Sequence, residues 1–320
     1  MAKCSTIIPI ASGKGGVGKS FITANLAIAL AKAGKQTIAV DLDMGGANLH
    51  SFLGMTNKSP GIGDFLKARK AKLHELLVPT MTPNLYFLAG DGKTPLMPNI
   101  SYAQKIRLIS TIKHLPADYI LLDMGAGSSY NTLDFFRIAH HGFVVTLPEH
   151  TSIMGMMVFL KNFIYRTIER KVVKNRPVHT LLQELLKQPM QDQESSIEEI
   201  FIKIAEKDHE AANAIRDEIS SFRPRIIINQ GESPDEFQEV SRISISIKKM
   251  LSLETDFFGF IYYDKTVKRM TRNCETYLPN NLDALAAKEI VKLAQRILKY
   301  WQIPVENSAD ILLEKSGIVK

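Results

Sequence analysis

Eight residues near the N-terminus carry the clearest chemistry in this sequence. They read Gly13-Lys14-Gly15-Gly16-Val17-Gly18-Lys19-Ser20 and fit the pattern G-x-x-x-x-G-K-[ST]. In such a loop, successive backbone N–H groups surround phosphate oxygens, the last lysine reaches the outer phosphates, and the hydroxyl binds Mg²⁺. We therefore expect residues 13–20 to bind the phosphates of a nucleotide, with Lys19 and Ser20 in these two roles.

The elements on either side of the loop are those that phosphate binding requires. An apolar run before it, Thr6–Ala11, predicts a buried strand. After it, residues 20–32 carry apolar side chains at helical spacing, and Gly34 stands where a helix C-terminus is expected. The N–H groups at the start of that helix would point toward the phosphates. A glycine-rich turn without a ligand explains this arrangement poorly.

Carboxylates follow two more predicted strands. Asp41 and Asp43 come at the end of residues 36–40, and Asp123 follows residues 119–122. In an open parallel sheet, ligands bind at the carboxyl ends of the strands. We therefore expect these side chains to lie beside residues 13–20.

Seven apolar segments alternate with helical ones and predict the sheet itself. They are residues 6–11, 36–40, 85–88, 119–122, 142–146, 225–228 and 257–261. Because they lack polar alternation, they favour a mostly parallel sheet buried on both faces, in a doubly wound α/β fold flanked by helices. We expect one domain over residues 1–320. Pro9 conflicts with a central first strand, since proline is normally confined to strand edges, starts or bulges; a bulge or a late strand start would accommodate it.

Taken together, the motifs resemble the MinD/ParA family of ATPases, whose phosphate loop carries a second, early lysine. Residues 12–20, SGKGGVGKS, match that deviant loop, with Lys14 as the early lysine. Residues 38–49, IAVDLDMGGANL, resemble the first switch of the family, and residues 119–129, YILLDMGAGSS, resemble its second switch. Residues 143–153 and Asn229 are further landmarks. The D-M-G-A-G form is most similar to the flagellar-number regulator branch, FlhG/FleN, and the resemblance is scattered over residues 5–160 and 224–300.

The resemblance implies a P-loop NTPase fold and two catalytic residues. Lys14 would reach across a dimer interface to the nucleotide of the partner subunit and stabilise the charge on the phosphoryl group in transit. Asp43 would orient the attacking water, and Asp41 is the weaker candidate for that role. A homodimer formed with ATP is therefore the expected assembly.

The same resemblance implies how ATP and Mg²⁺ would be held. Ser20 would bind Mg²⁺ directly and Asp123 would bind it through water. Gly125 and Gly127 would let backbone N–H groups approach the γ-phosphate.

For the base, the resemblance implies that Asn229 reads the edge of adenine. The backbone from Tyr262 to Asp264 would close the base pocket. This sequence has FGFIYYD where the family usually has a proline-bearing turn.

Composition argues against a metal-cluster site and against a secreted or membrane-spanning protein. The chain has 320 residues, of which 45% are hydrophobic and 23% charged, enough for a sizeable core. Cys4 and Cys274 form no C-x-x-C pair, so neither an iron–sulfur cluster nor a zinc site is indicated. No signal-peptide segment precedes the phosphate loop, and no apolar run approaches a membrane-spanning length. We expect a cytoplasmic protein with reduced thiols, and peripheral membrane association stays open.

Residues 164–222 interrupt the pattern of alternating strands and helices. Helical periodicity appears over residues 178–186, 197–207 and 210–219, with a polar break at residues 188–192. We interpret this segment as a helical insertion that serves as a partner surface, or else as a lid or packing element.

A basic stretch from Lys161 to Arg176 contributes to the net charge of +7. It would attract DNA or anionic lipid, unless it is simply a solvated helix face.

The C-terminal region predicts an amphipathic helix followed by a tail. Residues 282–301 place Ile290, Leu293, Ile297 and Trp301 on one stripe. Such a helix packs on the core or lies on a membrane, and its position favours the core. Residues 303–320 are predicted to be a tail.

These observations predict a Mg²⁺-dependent, dimerising ATPase switch that positions a cellular machine, either the flagellum or the division site. Its protein partner would bind the switch segments or residues 164–222. Two other classes stay open. One is a ParA-like ATPase that binds DNA nonspecifically in chromosome or plasmid partitioning. The other is a small-molecule ATP-dependent synthetase, because dethiobiotin- and cobyrinate-type enzymes use the same kind of loop.

Overall fold

The sheet forms from the apolar segments that the sequence predicts. The computed structural model describes residues 5–68, 70–90, 100–187, 196–233, 235–237 and 243–315. Within them the strands are β1 (Thr6–Ala11), β2 (Thr37–Leu42), β3 (Val78–Pro79), β4 (Leu85–Leu88), β5 (Tyr119–Met124), β6 (Phe143–Thr146), β7 (Arg225–Gly231) and β8 (Asp256–Tyr262). They make an eight-stranded sheet in the order β3-β4-β2-β5-β1-β6-β7-β8.

The sheet is parallel except at one edge, where β3 runs antiparallel to β4. Helices cover both of its faces, so the predicted doubly wound, mostly parallel α/β fold is confirmed. All seven predicted strands are present. The sequence does not predict β3, because two residues are too few to show a hydrophobic period.

Pro9 lies in the central strand β1 without a bulge or a late start. The Thr6 N–H donates to Asp118 O on the β5 side. Since successive residues of a parallel strand bond to opposite neighbours, Pro9 turns toward β6. The ladder with β6 begins only at Ile10, which pairs with Phe143. The missing N–H of the proline therefore falls just before the point where β6 begins to pair.

Helices fill both layers around the sheet. They are α1 (Lys19–Lys32), α2 (Leu49–Phe52), α3 (Ile62–Lys67), α4 (Tyr102–Ile112), α5 (Tyr130–Phe136), α6 (His150–Val172), α7 (Arg176–Lys187), α8 (Ile197–Lys207), α9 (His209–Ser220), α10 (Ile243–Leu251), α11 (Thr266–Arg272), α12 (Leu285–Tyr300) and α13 (Ser308–Lys315). Strand side chains alternate between the two layers. On β5, Ile120 and Leu122 pack with α4, α5 and α6, whereas Leu121 packs with α1 and α12.

The predicted insertion begins inside a long helix. Residue 164 lies within α6, which continues to Val172, and separate helices follow from α7 onward. Asp208 ends α8 and caps α9, where its carboxylate accepts from Ala211 N at 2.9 Å. The apolar sides of α7, α8 and α9 are buried in the same core as α6. The polar break expected at residues 188–192 lies outside the described residues.

The C-terminal helix packs on the core, as its position indicates. Its apolar stripe is buried against β8 and α1, with Leu293 and Ile297 almost fully covered. The predicted tail contains a helix that the sequence analysis missed, α13, which packs on β8. Buried Ser308 accepts a hydrogen bond from Phe257 N at 2.9 Å. This contact covers backbone at the edge of the sheet, a common protection for an edge strand. Residues 316–320 lie outside the described residues.

Candidate nucleotide-binding site

The phosphate loop joins β1 to α1 at the carboxyl end of the sheet. Its path depends on Gly18, which has a φ of 91° and precedes the first helical residue, Lys19. A Cβ at Gly18 would lie 2.3 Å from Asn229 Nδ2, so a side chain cannot be placed there. The loop faces a cavity of about 500 Å³. Its lining includes Gly15, Gly16, Gly18, Lys19, Ser20, Asp43 and Ala126.

Lys19 is a largely buried cation that opens onto this cavity. Only 8% of the residue is exposed. Burial lowers the pKa of its ammonium group, and the nearby carboxylates of Asp123 and Asp43 oppose that effect. A desolvated ammonium at the floor of a cavity favours an anionic ligand. This position is the one expected for the lysine that contacts the outer phosphates.

Asp123 lies at the end of β5 with one oxygen available. Thr23 Oγ1 donates to its Oδ1 at 3.2 Å, while its buried Oδ2 has no hydrogen-bond partner among the described residues. Burial raises the pKa of Asp123 to about 6, although hydrogen bonds from Ser20 and Thr23 and the charge of Lys19 oppose this. A buried carboxylate oxygen beside a serine hydroxyl is suited to a hydrated Mg²⁺. The residues present therefore fit the predicted metal site.

Asp41 organises the first switch. It is fully buried at the end of β2, opposite Asp123 in the register of the sheet. Its Oδ1 accepts from Asp43 N and its Oδ2 from Leu49 N, each at 3.1 Å. Burial and then the charge of Asp123 raise its pKa well above the usual range. Asp41 thus holds the loop between residues 43 and 49 and is not exposed to the solvent from which a water would come.

Asp43 is the carboxylate that reaches the cavity. Its Oδ1 accepts from the backbone N–H groups of Gly45 and Gly46 at 3.3 and 3.0 Å. A Cβ at Gly125 would lie 3.5 Å from the same oxygen, so the two switches are in contact at this point. The structure therefore brings Asp43, Lys19, Ser20 and Asp123 together.

Lys14 stands apart from this group. It is exposed, and its ammonium donates to Thr151 Oγ1 on α6 at 3.0 Å. Lys14 is not among the described residues that line the 500 Å³ cavity. Gly13 packs against α6 so closely that a Cβ would lie 1.8 Å from Gly155 O. The start of the loop is thus fixed on α6 while the lysine side chain faces outward.

The second switch is tied to the phosphate loop. The Gly127 N–H donates to Ser12 O at 3.0 Å, and Ser12 Oγ donates to Lys14 O at 2.7 Å. For the Gly127 N–H to contact a γ-phosphate, as the resemblance implies, this bond to Ser12 would have to be exchanged. Ala126, the residue before Gly127, lines the cavity of about 500 Å³.

A second cavity of about 290 Å³ adjoins the loop at the end of β7. Asn229, Gln230 and the turn from Tyr262 to Asp264 line it together with Gly16 and Gly18. Asn229 Nδ2 donates to Val17 O at 2.8 Å. The Asp264 carboxylate accepts from Thr266 N and Oγ1 and from Tyr277 Oη. Contact with a base would therefore come from the backbone near Asp264 and from the side chain of Asn229.

Sequence reasoning missed several residues that shape the site. Thr23 orients Asp123, Ser12 links the phosphate loop to the second switch, and Thr151 holds Lys14. Thr23 lies one helical turn after Lys19, a spacing that could have suggested it. Thr151 is 137 residues from Lys14, and no local pattern connects them.

Two properties of the described residues bear on whether this is a metal-cluster site or a membrane protein. No group of three or more His, Cys, Asp or Glu side chains is placed to hold a metal ion there. None of the described helices combines the length and apolar character needed to cross a bilayer.

Comparison with known proteins gives the family. The CobQ/CobB/MinD/ParA nucleotide binding domain matches residues 8–276. The chain is 30% identical to the antiactivator FleN of Pseudomonas aeruginosa over 313 residues, which are 93% of this chain and 88% of FleN. It is 36% identical to the septum site-determining protein MinD of Helicobacter pylori over 148 residues, 46% of this chain and 54% of MinD. It is also 36% identical to the flagellum site-determining protein YlxH of that organism over 157 residues, 48% of this chain and 52% of YlxH.

The chain thus spans about half the length of the MinD and YlxH relatives but most of FleN. Among solved structures, MinD of Pyrococcus horikoshii complexed with Mg-ADP superposes with a TM-score of 0.58 at 21% identity. That match covers 92% of this chain and 96% of MinD, and it shows the shared fold. The predicted resemblance is confirmed, and the chain belongs to the MinD/ParA family of nucleotide-binding proteins.

Proposed function

We propose that this protein is a Mg²⁺-dependent ATPase that dimerises when it binds ATP and controls the placement or number of a cellular machine, with the flagellum as the first candidate. The observation that carries the proposal is the position of Lys14. This lysine belongs to the phosphate loop, yet it is exposed and directed away from the cavity of its own subunit. An ammonium group in that position can serve the nucleotide of a second copy.

A symmetric dimer would give each cavity two ammonium groups. Lys19 would bind the phosphates from within the subunit, and Lys14 of the facing subunit would balance the charge that develops during transfer. Two such groups on one small loop repel each other unless a polyphosphate lies between them. ATP would therefore favour the dimer, and loss of the γ-phosphate would weaken it.

Hydrolysis would use the residues that meet in the cavity. Mg²⁺ neutralises phosphate charge when it is bound; Ser20 and Asp123 are the residues that would hold it. Asp43 would orient the attacking water from the first switch. Asn229 would contact adenine beside Gly18. Exchange of the Gly127–Ser12 hydrogen bond for one to the γ-phosphate would let the second switch respond to the nucleotide.

Partners would meet the protein beside the switches. A cavity of about 220 Å³ separates residues 42–45 from residues 124–135, and Met44, Met124 and Phe135 contribute apolar surface to it. Its shape would change with either switch. The inserted helices α7, α8 and α9 offer a second surface. The flagellar assignment is supported by the similarity to YlxH, a flagellum site-determining protein. It agrees with the resemblance of the D-M-G-A-G segment to the FlhG/FleN branch, and the match to FleN covers 93% of this chain.

The test is Lys14→Ala, because it removes the outward ammonium and leaves the loop glycines in place. With ATP and Mg²⁺, the wild-type protein should become a dimer by light scattering after gel filtration. Lys14→Ala should remain a monomer, and its turnover should fall by about 10²-fold or more. Lys32→Ala, at an exposed position in the last turn of α1, is the matched control and should behave as the wild type. Normal dimerisation and turnover by Lys14→Ala would refute the proposal.

A further inference from the structure

Two consecutive side chains at the end of β7 point toward the same loop. Asn229 Nδ2 bonds to Val17 O, and a Cβ at Gly18 would lie 3.8 Å from Gln230 Nε2. In a regular strand, neighbouring side chains point to opposite faces of the sheet. The backbone between Ile228 and Gly231 must therefore depart from regular strand geometry.

A one-residue bulge produces this arrangement. Ile228 pairs with Phe260 and Gly231 pairs with Tyr262, so three steps along β7 match two along β8. Gln230 takes the extra step with a φ of 58°, in the left-handed region. This conformation is unfavourable for a residue with a Cβ. Such strain in a residue other than glycine or asparagine often marks a functional position.

The residue after Gln230 keeps the bulge in place. A Cβ at Gly231 would lie 2.0 Å from the ring of Phe260, so the position accepts only glycine. The Tyr263 N–H then donates to Gly231 O at 2.8 Å, which joins the bulge to the turn that closes the 290 Å³ cavity. The orientation of Gln230 is thus set by the surrounding strands.

Gln230 brings an uncommitted carboxamide into that cavity. It is partly exposed among the lining residues, and its side chain makes no hydrogen bond within the described part of the chain. Asn229, in contrast, has one N–H of its amide engaged with Val17 O and keeps its oxygen as an acceptor. The two neighbouring residues together present two acceptor oxygens and one free amide group to a ligand.

We infer that Gln230 is a base-reading residue, which recognises the 6-amino group of adenine and a neighbouring ring nitrogen in this cavity. A carboxamide matches that pair because its oxygen accepts from the amino group while its nitrogen donates to the ring. The 6-amino group has two hydrogens, one for Asn229 Oδ1 and one for Gln230 Oε1. This inference rests on the proposed nucleotide site and extends it to the choice of base.

The test compares two variants on two nucleotides. Gln230→Gly removes the carboxamide and suits the left-handed backbone, so the variant should fold and be at least as stable as the wild type. Its affinity for ATP, measured by calorimetry, should fall about tenfold. Its affinity for purine riboside triphosphate, which lacks the 6-amino group but keeps the ring nitrogen, should fall by a smaller factor, because only the bond to that nitrogen is lost. Gln230→Asn, which keeps a shorter carboxamide, should lie between, and the exposed Gln302→Gly should match the wild type.

Inorganic triphosphate separates the base from the phosphates. Gln230→Gly should bind it like the wild type, because the loop is unchanged. Equal weakening of ATP, the purine analogue and inorganic triphosphate would mean that the residue acts through the phosphate loop, and the inference would be wrong. An unchanged ATP affinity in Gln230→Gly would also refute it while leaving the proposed function intact. If the wild-type protein binds no ATP, both the proposed function and the inference fail.

Discussion

Buried charges of opposite sign meet at the carboxyl end of the sheet, and each has a different task. Each oxygen of Asp41 accepts from a backbone N–H group, Asp123 keeps one oxygen without a partner among the described residues, and Asp43 faces the cavity. Because burial raises the pKa of both Asp41 and Asp123, their ionised forms are stabilised by an added cation. Lys19 and a hydrated Mg²⁺ together would supply that charge.

Separate roles for these carboxylates lead to a prediction for Asp43→Ala. The variant should still bind ATP and dimerise, since Lys14, Lys19 and the metal residues are unchanged. Its single-turnover hydrolysis rate should fall by about 10²-fold or more, because water is no longer oriented. Asp283→Ala, at an exposed position in the loop before α12, is the control. Rapid hydrolysis by Asp43→Ala would remove this residue from the catalytic role.

Among the elements, α5 connects the second switch to the rest of the molecule through buried ion pairs. Asp134 on α5 accepts from Lys105 on α4 and from Arg166 on α6, with bonds of 2.8 and 2.7 Å to the guanidinium. Arg137, just after α5, pairs with Glu218 on α9 at 3.3 Å, and Glu218 also pairs with Lys171 on α6. The helix that follows the second switch is therefore linked to α9, which lies in the predicted insertion.

Asp134→Asn should be strongly destabilising, because Lys105 and Arg166 would stay buried without their carboxylate. We expect the free energy of unfolding in urea to fall by about 3–5 kcal/mol at pH 7. Glu75→Gln, which breaks an exposed pair with Lys72, should cost less than about 1 kcal/mol. Similar losses for the two variants would contradict the role given to the buried pair.

The same pair predicts a pH dependence. Burial alone would raise the pKa of Asp134, but hydrogen bonds from Arg166 and Lys105 outweigh it and leave the pKa below the usual value of 3.8. A depressed carboxyl pKa stabilises the folded state above that value, and the contribution is lost as the pH falls through the folded pKa. The difference between wild type and Asp134→Asn should therefore shrink below about pH 4, where both chains can be unfolded with urea and compared.

On the scale of the whole molecule, two surfaces that the sequence offers to a membrane or to DNA are engaged within the fold. They are the apolar stripe of α12 and part of the basic stretch. The apolar stripe of α12 is buried against β8 and α1. Within the basic stretch, Arg166 bonds to Asp134 and Glu169, Lys171 pairs with Glu218, and Arg170 bonds to the Tyr102 hydroxyl. Arg166 and Lys171 are thus paired with carboxylates, whereas the Tyr102 hydroxyl that Arg170 contacts carries no charge.

The pairing of Arg166 and Lys171 with carboxylates predicts weak binding to random DNA. We would measure binding by the fluorescence anisotropy of a labelled random duplex at about 0.15 M salt. Addition of ATP and Mg²⁺ should not increase the fraction of duplex that is bound. Lys174→Ala, at an exposed site beyond the paired cations, should leave the signal unchanged. ATP-dependent binding that declines steeply with salt would instead favour the partitioning class.

Local spacing in the sequence was enough to predict the phosphate loop and the strands and helix that hold it. The strand, glycine-rich loop and helix around Lys19 are contiguous, and the strands ending near Asp41 and Asp123 are continuous apolar runs. A parallel sheet necessarily collects such carboxyl ends at one edge. The family resemblance added the roles that we propose for Lys14 and Asn229, which spacing alone does not assign.

Tertiary structure decided what depends on residues far apart in the chain. The bond from Lys14 to Thr151, the ion pairs of Asp134, the docking of α13 on β8 and the bulge at Gln230 all join segments that have no common sequence pattern. Hydrophobic periodicity reports which side of an element is buried. It does not report which partner is found there, because that choice is made by packing of the whole fold.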